Sequence, residues 1–265
     1  MTSSNLIVVG HRGALTAAPE NTMASFLAAR ELGADAVELD VHQSRDGELV
    51  VHHNYTLDQT TTGHGPIFEH DWVDLARLDA GRWFSEAFEG ERIPRLADVL
   101  AIDGLEFEVE LKGYGETMVD RALATVETAG MLDRVEFTSG NVSLLAELRR
   151  RQPEATTGLF TPRYEPWMTP EVFEHCIVGL ARHSTSQVVH VQARSITARI
   201  VDRLQGLDKT VHANDAKNPA DVERAIHAGA SRLSANDVEL AVTARNRHRP
   251  AASGSIPQGA DGGQV

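Results

Sequence analysis

Two carboxylates and a histidine within residues 36–53 are spaced so that they could hold a cation beside a proton carrier. Glu38 and Asp40 lie two apart in the apolar run Ala36-Val37-Glu38-Leu39-Asp40-Val41, so on a strand both carboxylates face one side. Asp46-Gly47 is a two-residue hairpin signal, because both central positions of a type I′ turn take positive φ. With those residues as the loop, Arg45 opposes Glu48 and Asp40 opposes His53, with Cβ atoms about 5 Å apart. A second histidine, His11, follows the apolar run Leu6-Ile7-Val8-Val9-Gly10. Oxygen ligands beside two histidines that exchange protons near neutrality point to metal-assisted cleavage of a phosphoryl or acyl ester.

Such a patch needs strands to hold it, and the chain supplies them in alternation with helices. Strands are expected at 6–10, 36–41, 105–112, 134–138, 156–160, 186–191, 209–214 and 230–234. The return at 48–53 is left out, since a parallel neighbour needs a crossover of a dozen or so residues that Asp46-Gly47 cannot provide. Periodic helices are expected at 21–32, with Gly33 as a stop, and at 116–129, 141–151, 169–181, 195–205, 219–228 and 236–247. Eight βα units predict an α/β fold, a TIM (β/α)8 barrel, with its site at the C-terminal strand ends, where His11, Asp40, Glu110 and Asn214 fall. Residues 54–95 form a long insertion after the second strand, placed to rise from the rim and wall a substrate. A single domain over 1–249 is expected, with a disordered tail over 250–265, rich in Ala, Gly, Ser, Pro and Gln.

Composition narrows the partners. A net charge of −13 argues against nucleic acid and against docking on anionic membranes. An anionic small-molecule substrate would therefore need locally supplied positive charge. No apolar run approaches the ~20 residues that span a bilayer. The single cysteine, Cys176, excludes an internal disulfide and a cysteine-rich zinc site. With no signal-peptide pattern in Met1-Thr2-Ser3-Ser4-Asn5, a cytoplasmic location is expected. Nothing in the composition indicates an oligomeric state.

The ordered set His11-Arg12-Gly13, Pro19-Glu20-Asn21-Thr22, Glu38-Leu39-Asp40, Asp46-Gly47, His53, Leu57-Asp58, Thr60-Thr61-Thr62-Gly63 and Glu110-Leu111-Lys112 resembles the glycerophosphodiester phosphodiesterase family. The likeness continues through Asp79-Ala80-Gly81, Trp83-Phe84, Glu91-Arg92-Ile93-Pro94 and Asn214-Asp215, covering residues 6 to 240. It implies a TIM barrel with an extra segment after the second strand. It also implies Glu38, Asp40 and Glu110 as ligands of Ca²⁺ or Mg²⁺, His11 and His53 as the acid–base pair, and Arg12 and Lys112 as phosphate contacts. The implied reaction is hydrolysis of glycerophosphodiesters to glycerol 3-phosphate and an alcohol. In such a family a neighbouring glycerol hydroxyl attacks first, giving a cyclic phosphate that water opens.

Other residues divide into structural and site readings. Glu106, Glu108, Glu110 and Lys112 alternate and share a face, and in a barrel interior buried carboxylates must be paired or bind metal. Glu108 stands where a neutral residue such as Asn is usual in the family, placing an extra negative charge near the metal. His52 points away from His53 and reads as structural, as does His42; His64 and His70 read as surface groups. Trp83, Phe84 and Trp167 read as packing or as cleft walls. Three departures from the family pattern stand out: Asn54 in place of Asp, Val211 in place of an expected tryptophan, and Ser234-Ala235-Asn236-Asp237 in place of Thr-Asp-x-Pro. Asn54 is expected to alter the orientation of His53 or the groups around the metal, and Val211 to remove an aromatic contact. None falls on the metal or acid–base set, so activity is expected to persist and substrate preference to be the property most affected. The competing functions are a lysophospholipase D or sphingomyelinase D-like enzyme on lysolipids and a non-catalytic barrel. An amidohydrolase-type zinc barrel is disfavoured because no His-x-His pair occurs.

Overall fold

Alternation along each strand divides the molecule into an apolar sleeve and a polar axis. In the computed structural model, which describes residues 6–113 and 117–249, the strands are β1 (Ile7–Gly10), β2 (Ala36–Gln43), β3 (Leu49–Val51), β4 (Glu106–Leu111), β5 (Val135–Ser139), β6 (Thr156–Phe160), β7 (Val188–Gln192), β8 (Thr210–Ala216) and β9 (Arg232–Ala235). All but β3 pair in parallel in the order β1-β2-β4-β5-β6-β7-β8-β9. The ring closes because β1 pairs β9 from Ile7↔Arg232 to Gly10↔Ala235 and also pairs β2 at Val9↔Ala36. This is the expected eight-stranded barrel. The expected tail over 250–265 lies outside the described residues.

The main helices are α1 (Met23–Glu31), α2 (Trp72–Leu75), α3 (Leu96–Leu100), α4 (Met118–Thr128), α5 (Val142–Arg151), α6 (Pro170–His183), α7 (Ala198–Gln205), α8 (Pro219–Ala228) and α9 (Val238–His248). Their starts follow from capping chemistry, since Thr22, Asn141, Thr169, Thr197, Asn218 and Asp237 each accept a first-turn N–H. Residues such as Val37, Leu39, Phe107, Val109 and Phe137 pack outward in one apolar cluster with helix side chains including Phe26, Val126 and Leu148. Val189, Val191, Val211 and Leu233 do the same against Ile200, Leu204 and Ile226. The core is thus the sleeve between strands and helices.

Two expectations fail here. The hairpin loop has three residues, not two. Ser44 donates its N–H to the Glu48 carbonyl, Gly47 donates to the Ser44 carbonyl, and only Gly47 has positive φ, at 91°. That is a type I turn followed by a glycine bulge. The register consequently runs through Val41↔Val51, and the His52 N–H meets the Asp40 carbonyl. His52, not His53, lies opposite Asp40. The insertion over 54–95 also does not wall the main cavity, because none of its residues lines it. It instead closes its own small core of Leu57, Ile67, Leu75, Ala80 and Ile93 over Val50.

Candidate active site

The C-terminal ends of the barrel strands open into a cavity of about 400 Å³ lined by His11, Arg12, Glu38, His53, Glu110 and Lys112, among others. Each expected site residue except Asp40 therefore lines one space, and Asp40 lies fully buried beside it. One oxygen from each of Glu38, Asp40 and Glu110 lies within 4.8 Å of the others. Lys112 Nζ bridges the set, 3.1 Å from Asp40 and 2.7 Å from Glu110.

Packing three carboxylates together sets their charges. Burial would raise the Asp40 pKa, but Lys112 and then Arg12 hold it well below the usual carboxylate range. Burial, followed by the charges of Asp40 and Glu110, pushes Glu38 well up. Burial and Asp40 push Glu110 up to about 7. Two carboxylates that resist ionisation beside a third that is fully ionised form a site that a cation would relieve.

Short polar contacts aim both histidines. His11 Nδ1 donates to Asn236 Oδ1 at 2.7 Å, which leaves Nε2, 3.9 Å from Glu38, free to exchange a proton. His53 Nδ1 donates to Asn54 Oδ1 at 3.0 Å, and the Asn54 amide nitrogen is fixed by Gln59. Burial lowers both histidine pKa values, with Arg12 acting in the same direction at His11 and Asp40 opposing at His53. His53 reaches the cavity despite the shifted register because β3 ends at Val51 and the chain leaves the ladder before it. His42 supports this exit: its Nε2 contacts the His53 carbonyl at 3.2 Å.

The backbone is bent to the same end. Among the described residues, four non-glycine positions have positive φ; two of them, Arg12 and Asp215, line the cavity, and a third, Asn21, is buried behind it against Asp40. At Arg12 the turn lets the backbone N–H reach Glu38 at 2.9 Å while the guanidinium pairs with Glu20 at 3.1 Å. Asn21 uses both ends of its amide on Asp40, donating to Oδ2 at 2.8 Å and accepting the Asp40 N–H. Left-handed non-glycine residues are costly and collect at functional sites.

Sequence reasoning missed the positions of Asn236, Asn21 and Glu20 against the site. A signal existed for Asn236, which lies just beyond the β9 end and hence at the rim. Three expectations need correction. The departure in 234–237 does reach an expected acid–base residue, because Asn236 bonds His11, while Asn54 meets His53, the histidine whose orientation it was expected to alter. Val211 removes no cavity contact, because its parity places it in the outer sleeve. Glu108 does not join the metal carboxylates as an uncompensated charge; it turns to His212 at 2.9 Å and to Arg232 at 3.0 Å. Trp167 is 70% exposed and, like Trp83 and Phe84, lines no part of this cavity. Among the described residues no helix is long and apolar enough to cross a membrane.

A barrel with this mouth has the architecture of a phosphodiesterase that handles an anion among carboxylates. The glycerophosphoryl diester phosphodiesterase family model matches residues 11–240, and the chain belongs to that family, whose members hydrolyse glycerophosphodiesters. A glycerophosphodiester phosphodiesterase of Caldanaerobacter subterraneus is 30% identical over 244 residues, covering 89% of this chain and 96% of the relative. The crystal structure of a glycerophosphodiester phosphodiesterase from Agrobacterium tumefaciens matches with a TM-score of 0.74 at 25% identity, over 90% of this chain and 99% of its own. A phosphodiesterase of Oleispira antarctica, solved with the product sn-glycerol-3-phosphate, matches with a TM-score of 0.79 at 23% identity, over 93% and 100%.

Proposed function

We propose that this chain hydrolyses small glycerophosphodiesters to glycerol 3-phosphate and an alcohol, with a divalent cation held by Glu38, Asp40 and Glu110. The observation that carries the reading is the convergence of those carboxylates with both histidines at one cavity. All-oxygen donors and the raised pKa values of Glu38 and Glu110 fit a hard ion such as Ca²⁺ or Mg²⁺. When bound there, such an ion would polarise a phosphoryl oxygen and favour ionisation of a nearby hydroxyl.

The chain's own residues do the rest. His11 and His53, each with Nδ1 tied to an asparagine oxygen, present the other ring nitrogen for proton exchange. One takes the proton of the attacking hydroxyl and the other gives one to the leaving alcohol. Arg12 and Lys112 supply positive charge for the phosphate in an otherwise acidic protein. The product bound in the Oleispira antarctica relative supports glycerol 3-phosphate as the retained half. A small polar head group is favoured over a lysolipid chain because, among the described residues, the large apolar side chains on the cavity wall are Leu15 and Phe160.

The test is hydrolysis of glycerophosphocholine by the wild-type chain and by His11→Ala and His53→Ala. General acid–base groups are worth roughly 100- to 10,000-fold. Each variant should lose at least about 100-fold in kcat while staying folded. A variant retaining wild-type kcat removes its histidine from the mechanism.

A further inference from the structure

Beneath the mouth lies a second, chemically different donor set. We propose that Glu108, His190 and His212 form an interior site for a zinc-class divalent transition ion. The three residues come from β4, β7 and β8, and all are buried. One donor atom from each lies within 4.8 Å of the others, close enough for bonds of about 2 Å to one ion after small side-chain shifts. The imidazoles stack with centroids 4.2 Å apart.

Two observations besides the donor set point to a ligand. His212 Nε2 and His190 Nδ1 are buried without a hydrogen-bond partner, whereas Glu108 lies 2.9 Å from His212 Nδ1 and Glu136 lies 2.6 Å from His190 Nε2. Buried polar atoms are nearly always satisfied, so these stand out. Gly158 on β6 makes room for the Glu136–His190 pair, since a Cβ there would strike both side chains. Charge agrees as well. Among the described residues Glu106, Glu108 and Glu136 face one permanent cation, Arg232, so the set stays net negative even with His190 protonated on Glu136. Glu108 and His190 also line the mouth cavity, which gives an ion a way in. Two imidazoles and one carboxylate suit Zn²⁺ or Co²⁺, whereas the all-oxygen set above suits Ca²⁺ or Mg²⁺.

The probe is Zn²⁺, titrated calorimetrically into the chelator-stripped full chain in excess Mg²⁺, which keeps the carboxylate set occupied. His248→Ala serves as the background, because the surface trio Glu223, His227 and His248 could also bind zinc. One zinc per chain should bind in that background, and His212→Gln or Glu108→Gln should weaken it by more than about tenfold. Unchanged affinity in folded variants, or no binding in the background, overturns the site. X-ray absorption at the zinc edge of the His248→Ala chain reads the ligands without touching the interior. Two imidazoles support the proposal; one or none overturns it.

Discussion

At the residue scale the decisive choice is an amide, not a carboxylate, behind each histidine. Asn236 and Asn54 fix which ring nitrogen carries the proton, yet add no negative charge. Asn236→Ala should therefore lower kcat by roughly 10- to 100-fold, as loss of an orienting partner does elsewhere. KM and the melting temperature should change little, and steady-state kinetics with thermal melts on the same preparation checks this. The carboxylates carry a second prediction. Glu110 titrates near 7 in the folded chain against 4.5 ordinarily, so without a cation its ionisation costs stability as pH rises through 7. A proton competes with the cation below that value. The rise in melting temperature on adding Mg²⁺ should thus be larger at pH 8 than at pH 5.5, and Asp40→Asn should abolish it. An equal or larger rise at pH 5.5 would contradict the placement of the ion. Glu38, Asp40 and Glu110 were legible as neighbours because strand parity is a local property. The Asn54 contact was legible too, being next to His53 in the chain; the Asn236 contact was not, since His11 and Asn236 are far apart in the chain and meet only when β9 closes on β1.

At the element scale the turn after β1 places His11 and Arg12, and its geometry leaves no slack. Gly13 sits at φ 88°, and a Cβ there would strike the Ser25 side chain and backbone on α1. Gly13→Ala should cost about 1–3 kcal/mol from the backbone alone, with more from the clash, as read by urea unfolding. Activity should fall with it, because Arg12 would lose the turn that hands its N–H to Glu38. The β2–β3 hairpin shows where reading from sequence stops. Asp46-Gly47 marked the turn, but whether Asp46 takes positive φ is a backbone outcome that residue types do not decide. Asp46 instead accepts bonds from Ser44 and from the Trp72 N–H, which favour the type I form and shift the register by one. Strands and helices themselves were legible almost throughout, because a buried parallel strand and an amphipathic helix leave different periodicities.

At the scale of the whole molecule the barrel axis is charged instead of filled with branched apolar side chains, the usual filling of this fold. Arg232 holds that layer together through Glu106 and Glu108, with Glu136 beyond. Arg232→Ala leaves buried carboxylates without their cation and should destabilise the fold by roughly 3–5 kcal/mol. Burial opposes ionisation of Glu108, and His212 and then Arg232 hold its pKa well below the usual carboxylate range, so removing the guanidinium moves it back up. The loss should consequently be full at pH 7 and smaller at pH 3, where the ion pair contributes less, as measured by denaturant midpoints at both values. This layer was only partly legible: the alternation of Glu106, Glu108 and Glu110 was plain, whereas their partners come from strands a hundred residues away. We propose that Glu38, Asp40 and Glu110 hold the cation that glycerophosphodiester hydrolysis requires. The most direct test is glycerol 3-phosphate release from glycerophosphocholine and glycerophosphoethanolamine by the chelated chain, before and after adding Mg²⁺ or Ca²⁺. No release is expected until the ion is returned, and none from Asp40→Asn at any concentration that restores the wild type. Release that persists undiminished in chelator, or none from folded wild-type protein with either ion, would contradict it.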